Sequence, residues 1–269
     1  MTNVVIGAGS GMGAAVAKAL APRGRLLVGD RDAEAAASTA DEIGGSAEPL
    51  TIDITDDGDI AALVDAIGPS VDSIVLTAGL SGSMAPGRRI FEVNLIGYAK
   101  VLAAVEPLIH EGTVGVLFAS EAGHTANATP ELTAVLDDPL APDLFDRIEA
   151  LGFDPDLPRF AYPVSKHGVH RLAQNLVFVW GARGARILSV SPGINDTPMN
   201  RLDESRHPIM ADIIKSSPLG RRGTPTEVAN AVEFLTSDKA SLITGSDVLL
   251  DGGMVHSIPR QGAGADARR

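Results

Sequence analysis

The run Gly7-Ala8-Gly9-Ser10-Gly11-Met12-Gly13 follows a short apolar segment, Asn3 to Ile6, and leads into a helical pattern, Gly11 to Leu20. Glycines this dense between a strand and a helix meet three demands at once. The chain must turn tightly, a ligand must reach the backbone, and the helix must pack closely on the strand. A helix N-terminus also offers unpaired N–H groups to an anion. The loop therefore predicts a parallel α/β unit with a phosphate-bearing ligand at its mouth.

The remaining sequence keeps the same rhythm. Strand-like segments at Arg25–Gly29, Glu48–Ile52, Ser73–Thr77 and Val114–Ala119 alternate with helical patterns at Ala33–Ile43, Ile60–Ile67 and Phe91–Ile109. These strands are nearly unbroken apolar runs, as a sheet covered on both faces requires. Further on come a helix Tyr162–Trp180, a strand Arg186–Val190, an irregular or helical stretch Thr197–Ser217, a helix Thr226–Leu235 and a strand Asp247–Leu250. The segment 124–158 breaks the rhythm. It carries eight acidic residues against one basic residue, Arg147, and so holds −7 of the chain's net charge of −12. Thr129-Pro130-Glu131 and Ala141-Pro142-Asp143 mark two short helices, and the segment is too short for a core of its own. We expect one domain over 1–255 with 124–158 as an acidic helical insertion, and a polar tail over 256–269 that is poorly ordered unless it docks on a partner subunit.

Acidity on this scale argues against a nucleic-acid partner. The absence of cysteine excludes disulfides and thiolate chemistry. No signal peptide and no membrane-spanning segment are expected, which makes a cytoplasmic protein the default. The second strand ends at Asp30, 19 residues beyond Gly11. An acidic residue about 20 residues past the loop accepts hydrogen bonds from the adenosine ribose of a dinucleotide. That favours NAD, since a carboxylate repels a 2′-phosphate. Arg31 beside it is the feature that would instead help hold NADP.

Tyr162 and Lys166 lie four residues apart, so one helix face presents both. A free phenol, with its pKa near 10, is a poor base, and a nearby ammonium stabilises the phenolate. With Ser120, Asn94 and the glycine loop, this pair resembles the short-chain dehydrogenase/reductase family over nearly the whole chain. Gly7, Gly11 and Gly13 fit its spaced glycines, with Ile6 where a threonine is usual. Asp53-Ile54 is similar to its adenine-contacting pair. Thr77-Ala78-Gly79 stands where Asn-Asn-Ala-Gly is usual, and lacks both asparagines. Tyr162-Pro163-Val164-Ser165-Lys166 matches the Tyr-x-x-x-Lys motif. Pro192-Gly193, with Ile194 and Thr197, matches the segment that closes over the nicotinamide, and Asp251-Gly252-Gly253 matches the end of the last strand. The gaps from Gly79 to Asn94 and from Ser120 to Tyr162 resemble the bacterial 3α-hydroxysteroid dehydrogenase/carbonyl reductase branch.

The resemblance implies a single-domain Rossmann-type doubly wound parallel sheet, with the insertion preceding the catalytic tyrosine. It implies NAD bound along Gly7, Gly9, Ser10, Gly11, Met12 and Gly13. Asp30, Arg31, Asp53, Ile54, Thr77, Ala78, Gly79, Pro192, Gly193, Ile194 and Thr197 would line the rest of that site. Tyr162 would be the general acid/base, tuned by Lys166, which would also hold the nicotinamide ribose. Ser120 would bind the substrate oxygen, and Asn94 would hold a water that links Lys166 to solvent. The reaction would interconvert a secondary alcohol and a ketone, on a hydroxysteroid or a similar apolar molecule. Relatives assemble as homodimers or homotetramers through the helices near Phe91–Ile109 and Tyr162–Trp180. The region Met199–Ser217 would cover the substrate. A catalytically silent nucleotide-binding regulator of the same fold is the alternative, disfavoured by four intact site residues. A nucleotide-sugar epimerase would need a longer C-terminal region. Ser120 has no nucleophile elbow around it, which disfavours a hydrolase. His124 is expected at the mouth of the site, without a catalytic role. His167 and His170, three residues apart on the Tyr162 helix, lack an acidic partner at useful spacing, and no metal is expected.

Overall fold

The computed structural model describes residues 2–207 and 209–257. The expected tail beyond Ser257 lies outside the described residues. Seven parallel strands form one sheet in the order β3-β2-β1-β4-β5-β6-β7. The first half runs β1 Thr2–Ile6, α1 Gly11–Leu20, β2 Arg25–Asp30, α2 Ala33–Ile43, β3 Ala47–Thr51, α3 Asp57–Ile67 and β4 Val71–Leu76. Next come α4 Gly87–Phe91, a π turn Glu92–Ile96, α5 Gly97–Val105 and β5 Ile109–Phe118. The short helices α6 Glu121–His124, α7 Pro130–Leu136 and α8 Leu144–Ala150 precede α9 Pro158–Asn175 and α10 Val177–Gly181. The chain closes with β6 Arg186–Pro192, α11 Pro198–Arg206, α12 Met210–Ser216, α13 Pro225–Leu235, β7 Asp247–Leu250 and α14 Met254–Ser257. This is the doubly wound sheet that the alternating pattern predicts.

The sheet separates two cores. On one face α1 and α13 bury Val16, Ala17, Leu20, Val228, Val232 and Leu235 against the strands. On the other face Phe91, Tyr98, Leu102, Val164 and Leu172 form the larger core. The acidic insertion joins that second core. Leu132, Leu136, Leu144 and Ile148 pack into it, and Phe145 meets Phe91 edge-on at 6.0 Å. Arg171 pairs with Asp137 through bonds of 2.8 and 3.0 Å, and Arg88 pairs with Glu149 and Asp156. The insertion thus borrows the domain's core, as its length requires.

Two helices differ in their bounds from the sequence pattern. The helix expected over Phe91–Ile109 begins at Gly87, widens into the π turn and ends at Val105, where Glu106-Pro107-Leu108 makes a 3₁₀ turn. Proline cannot donate the next helical bond, so Ile109 already belongs to β5. The helix carrying Tyr162 starts at Pro158, because proline suits the first helical position. It yields to the separate α10 after Asn175. The stretch Thr197–Ser217, expected to be irregular or helical, holds two helices, α11 and α12.

The helix α13, which seats α1, starts with a capping box between Thr224 and Glu227. Thr224→Ala removes one bond of that box at a cost of about 1 kcal/mol. We expect Tm to fall by about 2–4 °C, measured by thermal unfolding.

Candidate active site

The strand order reverses between β1 and β4, and a cleft of about 640 Å³ opens there at the C-terminal ends of the strands. Open α/β sheets bind their ligands at this switch point. The glycine loop forms its floor. Gly7 adopts φ +87°, and its N–H and that of Ala8 both donate to Gly29 O, at 2.8 and 2.9 Å. A Cβ on Gly13 would lie 2.0 Å from Gly7 O, so only glycine lets α1 come this close to β1. Thr77 stands at the start of the segment that lacks the expected asparagines. Its hydroxyl reaches Ile6 O at 2.8 Å and Gly7 O at 3.0 Å, tying the end of β4 to the end of β1.

Asp30 ends β2 at the rim of the cleft. Its two oxygens accept from Gly9 N at 2.8 Å and Asp32 N at 3.0 Å, which holds the carboxylate in place. Gly9 thus orients Asp30 and stands behind the cleft wall, while Ser10, Gly11, Met12 and Gly13 line it. Arg31 is exposed on the same rim. Asp53 and Ile54 line the adjoining wall. Asp53 accepts from Thr55 and pairs with Arg89 at 3.1 Å. Thr77, Ala78, Gly79, Pro192, Gly193, Ile194 and Thr197 complete this side.

At the other end of the cleft stand Ser120 and Tyr162. Ser120 caps α6, and its hydroxyl accepts from Ala122 N at 3.2 Å. Burial pushes the Tyr162 phenol above its ordinary value. The neighbouring Ser120 hydroxyl opposes this, and the carboxylates of Asp203 and Glu121 add to it. Lys166 sits behind the wall, 5% exposed, and donates to Phe118 O at 2.8 Å. Burial draws its ammonium down to about 7. Asn94 lies on the π turn and is fully buried. Its side chain accepts from Leu80 N at 2.8 Å and donates to Leu80 O at 3.0 Å. Asn94 Oδ1 and Lys166 Nζ flank the same atom position at Gly79, 3.4 and 3.5 Å from where a Cβ would stand. The structure therefore gathers all four proposed catalytic residues, two at the cleft surface and two just behind it.

Comparison with known proteins agrees with this arrangement. Residues 2–130 match the family described as short chain dehydrogenase, and residues 155–255 match the one described as enoyl-(acyl carrier protein) reductase. The gap between the two matches falls inside the acidic insertion. The cis-4-hydroxycyclohexanecarboxylate dehydrogenase of Sinomonas cyclohexanicum is 31% identical, covering 93% of this chain and 94% of its own. The chain belongs to the short-chain dehydrogenase/reductase family. As such it is an oxidoreductase. Two further relatives carry steroid names. The 3beta-hydroxysteroid dehydrogenase 1 of Eggerthella lenta is 29% identical over 94% of this chain and 93% of its own. The structure of the 3-alpha-hydroxysteroid dehydrogenase from Pseudomonas sp. B-0831, complexed with NADH, has a TM-score of 0.74 at 28% identity, covering 94% and 96% of the two chains. Among the described residues no helix of this dehydrogenase/reductase is long and apolar enough to cross a membrane.

Two site residues had no signal in the sequence. Asp203, on α11, accepts from Ser81 at 2.8 Å and faces the phenol across the cleft. Glu121 follows Ser120 and also lines the cleft. Burial, with Asp251 nearby, pushes its carboxyl up to about 7. Both gain their place through chain segments far apart in sequence. His124 does not line the cleft, contrary to expectation, because α6 turns it toward Asp247 instead.

A carboxyl that binds its proton more tightly when folded destabilises the fold once ionised. Glu121 keeps its proton up to about pH 7 when folded and releases it near 4.5 when unfolded. Stability linked to Glu121 is thus present below pH 4.5 and lost as pH rises to about 7. Glu121→Gln should match wild-type Tm at pH 4 and exceed it at pH 8, with the gap opening between. Equal curves across that range would refute a raised Glu121.

Proposed function

We propose that this protein interconverts a secondary alcohol and a ketone on an apolar, ring-bearing substrate, with NAD rather than NADP. The observation that carries this reading is the shared cleft: the glycine loop and Asp30 stand at one end, and Ser120 and Tyr162 at the other. The cradle suits a dinucleotide, because neither Gly7 nor Gly13 could hold a side chain without colliding with backbone. The helix N-terminus at Ser10–Met12 and the backbone of the loop would hold the pyrophosphate. Asp30 would accept from the ribose hydroxyls, and its charge would repel a 2′-phosphate. When bound, the nicotinamide supplies or takes up the hydride.

The protein's own residues handle the proton. Tyr162 keeps its proton at neutral pH, because burial and two carboxylates oppose the phenolate. In ketone reduction it donates that proton to the oxygen as negative charge builds there. The Ser120 hydroxyl donates to the same oxygen. Lys166 and Asn94 stand behind the cleft wall, Lys166 one helical turn from Tyr162, and burial draws the Lys166 ammonium down to about 7, so it can exchange a proton near neutral pH. In the oxidative direction Tyr162 must first lose its proton. The flap α11 brings Met199 and Leu202 over the cleft, an apolar lid for an alicyclic or steroid skeleton. Relatives named for hydroxycyclohexanecarboxylate and hydroxysteroid oxidation support that substrate class.

Tyr162→Phe should reduce turnover by about 10²–10⁴-fold, read as the formation of reduced nicotinamide from a panel of cyclic alcohols and hydroxysteroids. Cofactor binding, followed by calorimetry, should persist. Intact turnover in the variant would remove Tyr162 from the chemistry. Asp30→Ala should narrow or invert the preference for NAD over NADP, measured as the ratio of kcat/KM. A raised phenol also sets the pH dependence. Oxidation should accelerate as pH rises into the alkaline range, while reduction should slow, and parallel profiles in the two directions would exclude Tyr162 as the shared acid and base.

A further inference from the structure

Behind the catalytic helix lies a second pocket of about 390 Å³, lined by Gly123, His124, His167, His170, Arg171 and Asp247 among others. No step of the chemistry above uses it. His124 comes from α6, His170 from α9 and Asp247 from the start of β7. Their donor atoms all lie within 4.8 Å of one another. His124 Nε2 is 2.7 Å from Asp247 Oδ2, and His170 Nε2 is 3.4 Å from Asp247 Oδ1. The two imidazole rings stand 4.6 Å apart, both turned to the same carboxylate.

We propose that His124, His170 and Asp247 form a site for a divalent transition metal of the zinc type. Two imidazoles and one carboxylate are a donor set suited to such an ion. With metal–ligand bonds of about 2.0–2.1 Å, tetrahedral donors stand about 3.3 Å apart. The His170–Asp247 separation already meets this, and His170 Nε2 must give up its 2.8 Å hydrogen bond to Ser191 Oγ to face the ion. The His124–Asp247 contact is a hydrogen bond, and needs to open by about half an ångström when an ion replaces the shared proton. His124 has that freedom, since its side chain is 30% exposed.

Other features fit a built site. Ser189 and Ser191 donate to Asp247 Oδ1 from behind, at 2.6 and 2.9 Å. Outer partners of this kind orient a ligating carboxylate. The pocket gives an ion a path from solvent and leaves room for water as a fourth ligand. The one guanidinium in its wall, Arg171, is turned to Asp137. His167 lines the pocket but keeps its Nε2 3.3 Å from Thr133 Oγ1, so it stands beside the ion rather than on it. The sequence offers His167 and His170 as a local pair. The acidic partner comes instead from the far end of the sheet, and it selects His124.

Such an ion would join three elements next to the reacting groups. The helix α6 begins at Ser120, and Gly123 packs against the backbone of Lys166 and His167. The metal would lock that contact and so hold Ser120 in register with α9. The proposal does not rest on the substrate or cofactor assigned above.

The test uses untagged full-length protein stripped with a chelator. Zinc should bind at one ion per chain by calorimetry and raise Tm by about 5 °C at a hundredfold excess over its dissociation constant. Cobalt should show the visible absorption of a tetrahedral ion. His124→Ala, checked for folding by circular dichroism, should weaken zinc binding by about a hundredfold or more. His167→Ala should bind as wild type does. Absence of saturable binding, a cobalt spectrum of octahedral type, or undiminished affinity in His124→Ala would overturn the site. Loss of binding only in His167→Ala would overturn this choice of ligands.

Discussion

A methyl group on Gly13 would lie 2.0 Å from the carbonyl oxygen of Gly7, closer than any side-chain carbon approaches backbone. That gap sets how near α1 comes to the end of β1. From it follows the direction of α1's free N–H groups, and the placement of the Gly9 amide that holds Asp30. Thr77 braces the same junction from β4. One wall of the cleft is thus built from backbone, and its shape depends on atoms that are absent.

The opposite wall is built from side chains under electrostatic tension. Tyr162 faces Asp203 and Glu121, and Lys166, four residues on along α9, is tied to Phe118 O. The buried ammonium has lost much of its hold on a proton. Both groups of the proposed acid–base pair therefore sit closer to their neutral forms than they would in water. This is the environment in which a hydroxyl donor distinguishes a developing oxyanion from a ketone.

Much of this was legible in the sequence, and for local reasons. Helical spacing places Tyr162 and Lys166 together, and an acidic residue at the end of a second strand speaks for itself. Pro130 marks α7 because proline suits a helix start. What stayed hidden depended on distance. Asp247 stands 77 residues beyond His170, and only the pairing of β6 with β7 brings them together. Asp203 meets Ser81 across a still longer gap of 122 residues. The bounds of the helix after Gly87 were hidden too, because a π turn and a 3₁₀ turn leave no mark in hydrophobic periodicity. Resemblance alone points to Asn94, while its two bonds to the Leu80 backbone span a turn that carries no sequence mark.

The helix α11 has no fully buried residue. Polar contacts hold it down: Ser81 with Asp203, Arg206 with the Ser83 carbonyl, and Glu204 with Arg222. Lifting it would exchange these bonds for bonds to water and uncover little apolar area. Heat-capacity change tracks apolar area exposed. The gate over this cleft would therefore open with a nearly temperature-independent enthalpy, and added salt would weaken its latches more than cold would.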